Sequence, residues 1–248
     1  MVGDLNHIDY ERLVRLNPTH VVLQPPSTGI DAGLIRLATE RGIVVRGWPH
    51  LDGVADIRRL VHELPGSVAG DDTVLNSQMA LRAAEIEAAL DELLDPRNKP
   101  RFNDEVMVVG RMNPVLAFGR GTYLDDVLSA LGARNAVASR GWVQLSLEDV
   151  IRIDPQVIVL VAGGASGGEL TDLSRLHDLP VGAAESGRVA VLRHPDALLP
   201  SSAIVEVADA LRRILVELNR GDTTGALPDT SATPAGTRPV VARGGPPV

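Results

Sequence analysis

Carboxylates and arginines recur at matched places in two distant segments of the chain. Glu11 through Leu23 reads ERLVRLNPTHVVL, and Glu148 through Leu160 reads EDVIRIDPQVIVL, at a constant offset of 137 residues. Glu, Arg, Pro, Val and Leu coincide at matched positions. Each copy reads as a short amphipathic helix, a proline-marked turn and an apolar run short enough to be a buried strand. Taken singly, a glutamate in a first helical turn is explained by the helix dipole. Taken as a pair, Glu11 and Glu148 imply two similar lobes with a carboxylate at the same place on each.

A second group could hold a ligand. Arg111, Asn113, Arg120, Trp142, Arg193 and His194 are read as lying in loops just after strands or before helices, where open α/β sheets place ligands. Trp48, Tyr123 and Gln24 complete the ligand-binding set. Arginine charge and Trp142 stacking would suit a large anionic or amide-rich chelate.

Catalytic patterns are missing. The chain has no cysteine, so thiol nucleophiles, disulfides and thiolate metal sites are excluded. There is no G-x-S-x-G elbow, and Ser146 reads as a helix N-cap. The six histidines are scattered without metal-pair spacing, and no metal or cofactor is expected. His20 reads as structural. The glycine-rich run 163–168 fits neither nucleotide fingerprint and reads as a flexible loop at a cleft rim. This pattern favours a binding protein over an enzyme.

The elements that must position these residues alternate helix and strand, which favours parallel sheets flanked by helices. Helix 9–16, strand 20–24, helix 31–41 capped by Gly42, strand 43–48 and helix 53–64, ending before Pro65, form the first region. Helix 71–95 carries Leu75, Met79, Ile86, Leu90 and Leu93 at helical spacing and would reach about 37 Å at 1.5 Å per residue. Strand 105–110, loop 111–114, helix 122–132, helix 146–153, strand 156–162, strand 188–193 and helix 201–219 form the second region. The fold class expected is α/β: two lobes bridged by one long helix, the N-terminal lobe incomplete. The divisions are 1–70, 71–100, 101–220 and a disordered tail at 221–248.

With 32 acidic against 24 basic residues, the net charge of −8 argues against nucleic-acid binding. No apolar run is long enough to span a membrane, and residues 1–7 do not read as a signal peptide.

The segments Trp142 to Glu148 and Asp154 to Val159 resemble the C-terminal lobe of the helical-backbone substrate-binding proteins of ABC importers, the periplasmic proteins for cobalamin and iron-siderophores. Gly121 to Leu128, with Gly132-Ala133-Arg134-Asn135-Ala136, resembles that family's helix and turn. Asn113-Pro114 is similar to the preceding loop in cobalamin binders, and Glu11 to Leu23 to the glutamate element of the N-terminal lobe. Thr19-His20 stands where the family usually has aspartate. The family's first strand, helix and strand have no counterpart before Glu11, and its cleft aromatics are represented by Trp142, with Trp48, Phe118 and Tyr123 as additions.

The resemblance implies a cobalamin-type or ferric-siderophore ligand in an inter-lobe cleft. It implies docking of Glu11 and Glu148 on permease arginines, a permease and ATPase complex as partner, a monomer, and a periplasmic or exported location. The alternatives are a cytoplasmic two-lobed enzyme of nucleotide or sugar transfer, and a ligand-free interaction module of the same fold.

Overall fold

The computed structural model describes residues 8–25, 29–70, 72–95, 97, 102–163 and 169–220. The glycine run from 164 to 168, the tail from 221 to 248 and the first seven residues lie outside the described residues. The readings of a rim loop, a disordered tail and an absent leader therefore find no structural counterpart here.

The described residues build two separate sheets. The first is a parallel pair, β1 (His20–Leu23) and β2 (Val44–Gly47), with α1 (Tyr10–Leu16) leading in and α2 (Ala32–Arg41) as the crossover. Gly42 caps α2 in the left-handed conformation, φ 68°, where a Cβ would be strained. The second sheet has the order β6-β4-β3-β7-β8, with β5 beside β3. Its strands are β3 (Glu105–Met112), β4 (Val115–Phe118), β5 (Arg134–Asn135), β6 (Trp142–Leu145), β7 (Val157–Ala162) and β8 (Val189–Arg193). β3, β5, β7 and β8 run parallel, whereas β4 and β6 are antiparallel to their neighbours.

Both faces of the large sheet are covered. On one face Val106, Val108, Val157, Val159 and Leu192 join α3 (Val54–Ala69), α4 (Thr73–Leu94), α5 (Tyr123–Ala130) and α9 (Ile204–Arg220) in one core. On the other, Met107, Val109, Ile158 and Leu160 meet α6 (Leu147–Ile153), α7 (Glu169–His177) and α8 (Gly182–Glu185). The strict alternation along β3 and β7 is the period-2 pattern of strands buried on both sides.

Helix α4 leans on α3 on one side and on α9 on the other, so it links the helical layers of the two regions. Its apolar stripe is thinner than expected. Ala83 and Leu90 are buried, while Leu75 is exposed. Asp72 caps its start by accepting from the Val74 and Leu75 amides.

Four expectations need correction. Helix α3 does not stop before Pro65 but runs through it to Ala69. Val54, Ile57, Val61, Pro65 and Ala69 are all buried and spaced three or four apart, so the ring continues the buried stripe, and packing outweighs the lost amide donor. Arg111 is not in a loop, because β3 extends to Met112 and turns back through Asn113-Pro114, joined by a cis peptide bond, into β4. Trp142 is likewise a strand residue, the first of β6. The last helix begins at Ile204, three residues later than expected.

The repeated segments correspond element by element. Asp9 caps α1 by accepting the Arg12 amide, and Ser146 caps α6 by accepting the Asp149 amide. Asn17 and Asp154 close those helices with φ 46° and 48°. Pro18 and Pro155 then lead into β1 and β7. All these pairs keep the offset of 137 residues (146 − 9, 154 − 17).

Candidate functional site

The candidate site lies where the parallel strands of the large sheet end. Trp142 pairs with Phe118 across β6 and β4, ring centroids 4.0 Å apart and tilted by 46°. Phe118 in turn meets Tyr123 edge to face at 5.7 Å. The Tyr123 hydroxyl donates to the Ala197 carbonyl at 2.7 Å, and burial pushes its pKa up well above the ordinary phenol value. These three rings form a stack from surface to core. Trp142 is 44 % exposed at the outer end, whereas Phe118 and Tyr123 are buried.

Tyr123, expected in the ligand-binding set, is buried with its hydroxyl turned to a backbone carbonyl. Its ring supports Phe118, and its hydroxyl pins the loop after β8. That loop carries Leu198, which completes the shelf. A Cβ at Gly110 would come 3.3 Å from Leu198, Phe118 and Trp142, and one at Gly163 would come 2.9 Å from Leu198. Glycine at the ends of β3 and β7 therefore lets Leu198 and the indole close over the strand ends. Gly110 also coincides with the irregularity of β3 against β4, as strand glycines often do.

Asn135 is a positioning residue that the sequence reading passed over as part of a turn. Its amide donates to the Phe118 carbonyl at 3.0 Å and its side-chain oxygen accepts the Val137 amide at 3.0 Å. It thereby fixes the end of β4 beneath Trp142. An asparagine right after a helix and a left-handed glycine was the available signal.

The remaining candidates divide. Arg111, Asn113 and Arg120 are exposed near the ends of β3 and β4. Arg193 is half-buried at the end of β8. His194 has both ring nitrogens engaged: Nδ1 accepts the Asp196 amide at 3.2 Å and Nε2 lies 3.3 Å from Glu206. It ties the loop to α9 and offers no nitrogen outward in this arrangement.

Gln24 and Trp48 follow the two strands of the small sheet. The Gln24 side chain is hydrogen-bonded to His50, and His50 Nε2 lies 3.6 Å from Asp52. Trp48 is buried, its amide bonded to the Leu23 carbonyl at 2.9 Å, and its indole Nε1 has no hydrogen-bond partner among the described residues. Such an orphaned donor is uncommon.

The two regions touch where the β2–α3 loop meets α5. Asp126 of α5 accepts the Val54 amide at 2.8 Å, capping a helix 72 residues away. Burial raises the Asp126 pKa from its ordinary value, opposed by the Val54 hydrogen bond and helped by Asp125 and Asp56. Gly53 leaves no room for a side chain, since its Cβ would sit 2.7 Å from the same carboxylate oxygen.

Glu11 and Glu148 are both exposed in the first turns of α1 and α6. Neither has an ion-pair partner among the described residues. Among the described residues there is no group of three or more His, Asp or Glu that could hold a metal ion.

This two-sheet arrangement with a long connecting helix is the fold of the periplasmic solute-binding proteins. The periplasmic heme-binding protein BhuT matches over 88 % of this chain and 82 % of its own, with a TM-score of 0.68 and 17 % identity. The periplasmic vitamin B12-binding protein BtuF of Vibrio cholerae matches over 88 % and 82 %, with a TM-score of 0.61 and 15 % identity. In sequence, the chain is 23 % identical over 169 residues to the uncharacterized ABC transporter substrate-binding lipoprotein YvrC of Bacillus subtilis. That match takes in 65 % of this chain, and it spans about half (51 %) of the curated relative's length. No protein-family model matches the chain.

Proposed function

We propose that this protein is the substrate-binding component of an ABC importer, exported and monomeric, taking up a heme-, cobalamin- or ferric-siderophore-type chelate and delivering it to a permease and ATPase complex. One observation carries the reading above all: a half-exposed tryptophan braced by two buried rings, its indole beside Gly110 of β3 and Leu198 of the loop after β8. Buried rings hold the indole in place before any ligand arrives, which lowers the entropy cost of stacking a flat or bulky chelate on it. Arg111 and Asn113 stand at the turn from β3 into β4, Arg120 follows the other end of β4, and Arg193 ends β8. Gln24 and Trp48 occupy the corresponding strand ends of the small sheet. The kinds of ligand named for BhuT and BtuF support the chelate class.

Matched helices on the two regions support docking on a partner through Glu11 and Glu148. Two carboxylates at equivalent places fix orientation on a two-fold partner and steer encounter more than they add affinity. The catalytic search in the sequence returned no nucleophile and base in one place, which favours carriage over chemistry.

The test is isothermal titration with hemin, cyanocobalamin, cobinamide and ferric siderophores. Binding of at least one with a micromolar or tighter Kd is expected. Glu11→Ala with Glu148→Ala should leave that affinity and the unfolding free energy within about 0.5 kcal/mol of wild type, as for exposed carboxylates, while abolishing uptake with the cognate importer. Failure of every ligand to bind a folded protein contradicts the reading. Normal uptake by the double variant contradicts the docking role.

A further inference from the structure

We propose that the ligand bears carboxylate groups and that Arg120 and Arg140 receive them, an inference that rests on the binding-protein reading and narrows it to anionic chelates. Arg140 belongs to no motif singled out in the sequence. The structure places it beside Arg120 in an isolated bridge between the ends of β4 and β6. The Arg120 amide donates to the Ser139 carbonyl at 2.8 Å, and the Gly141 amide donates to the Arg120 carbonyl at 3.0 Å. The Gly119 amide donates to the Gly141 carbonyl at 2.8 Å, and Gly119 has no space for a side chain against Ser139.

Two Arg-Gly dipeptides therefore face each other, and each glycine is left-handed, Gly121 at φ 76° and Gly141 at 74°. Only glycine takes this conformation routinely, so the crossing is built from residue types suited to it. The Arg140 side chain lies over Gly121, its Nε 3.7 Å and Nη2 3.8 Å from where a Cβ would stand. A larger residue there would meet the guanidinium.

Neither guanidinium has a carboxylate within ion-pair distance among the described residues. The chain does not lack acids to pair with, holding 32 against 24 basic residues. Elsewhere Arg58 pairs with Asp91 at 2.7 Å and Arg212 with Asp209 at 2.8 Å. The acids nearest in the chain are committed to backbone: Asp125 accepts the Gly121 amide and Asp126 the Val54 amide, both at 2.8 Å. An anionic ligand is attracted to two positive charges that stand on bridged residues and have no carboxylate of their own among the described residues. Arginine's planar fork matches a carboxylate through two parallel N–H···O bonds. Two residues beyond Arg140 stands the exposed indole of Trp142, and two residues before Arg120 stands Phe118 beneath it. An apolar body on the indole and carboxylates on the arginines would use both features at once.

Calorimetric titration of the full chain with hemin, a dicarboxylate, against its dimethyl ester tests the assignment. Hemin should bind at least tenfold more tightly than the ester. The double variant Arg120→Gln, Arg140→Gln should bind hemin at least tenfold more weakly while its affinity for the ester is unchanged. Raising NaCl from 50 to 500 mM should weaken hemin binding to the wild type more than to the variant. An unchanged melting temperature in the variant, expected for exposed side chains, separates this effect from misfolding. Equal affinity for acid and ester, or for wild type and variant, overturns the assignment. If cyanocobalamin binds more tightly than hemin, the carboxylate assignment fails and the importer reading stands. If none of the three binds, the carboxylate assignment fails, and if cobinamide and the ferric siderophores fail to bind as well, so does the importer reading.

Discussion

Asp126 is the residue on which the junction of the two regions turns. It is a half-buried carboxylate that accepts a helix N-terminal amide yet has two other aspartates, Asp125 and Asp56, close enough to raise its pKa. A folded-state pKa above the unfolded one means that the native state binds the proton more readily. The associated stability is fully present below the unfolded pKa and is lost as pH rises through the folded one. Asp126→Asn keeps an acceptor for the Val54 amide and removes the charge. It should therefore be at least as stable as wild type at pH 7, the difference vanishing toward acid pH. Asp126→Ala removes the cap and should cost about 1 kcal/mol at acid pH, where the carboxyl is protonated, and less at pH 7. Urea unfolding across the acid range checks both, and an Asp126→Asn variant much weaker than wild type at neutral pH would contradict the cause assigned to the shift.

The same scale shows what could be read from the chain beforehand. Trp142 drew notice because aromatics are scarce and it precedes a helix start, and its indole is exposed and packed on Phe118. The burial of Tyr123 was not legible, because a tyrosine at a helix start does not reveal whether its hydroxyl points to solvent or to a carbonyl 74 residues away. Arg140 was passed over because its significance comes from a bridge to Arg120 that no local pattern announces.

At the level of elements, the repeated helix–turn–strand unit was the most legible feature, since caps, left-handed closures and proline turns are written in local residue types. Both closures sit at positive φ, but their surroundings differ. Asp154 Oδ1 accepts the Gly182 amide at 2.7 Å, and for Asn17 no side-chain bond is found among the described residues. Asn17→Gly should therefore stabilise by a few tenths to about 1 kcal/mol through relief of the left-handed conformation. Asp154→Gly should lose that benefit, because it also removes the tie to α8. Thermal unfolding of the two variants decides, and equal gains would show that the Asp154 bond adds nothing. Strands β4 and β6 were not legible. Each has four residues, and Val115-Leu-Ala-Phe118 is apolar throughout, so no alternation marks it as a strand. The hairpin that makes Arg111 a strand residue depends on pairing, not on local preference. Pro65 misled for a similar reason, since its breaking tendency was outweighed by a stripe buried against α4 and the large sheet.

For the whole molecule, the two sheets, the helix leaning on layers of both regions and the aromatic stack at the strand ends make one functional claim: a ligand sits against Trp142. The chain contains two tryptophans, Trp48 and Trp142, so each can be made the single reporter in turn. Trp48 is buried and Trp142 is 44 % exposed, so their emission should differ before any ligand is added. The decisive measurement is fluorescence titration of the folded Trp48→Phe variant, in which only Trp142 emits, with the chelate found to bind by calorimetry. Saturable quenching of Trp142 at the calorimetric Kd, with affinity at least tenfold weaker in Trp142→Ala, is the predicted result. Calorimetric binding without any change in Trp142 emission, and undiminished in Trp142→Ala, would place the ligand elsewhere and contradict the account.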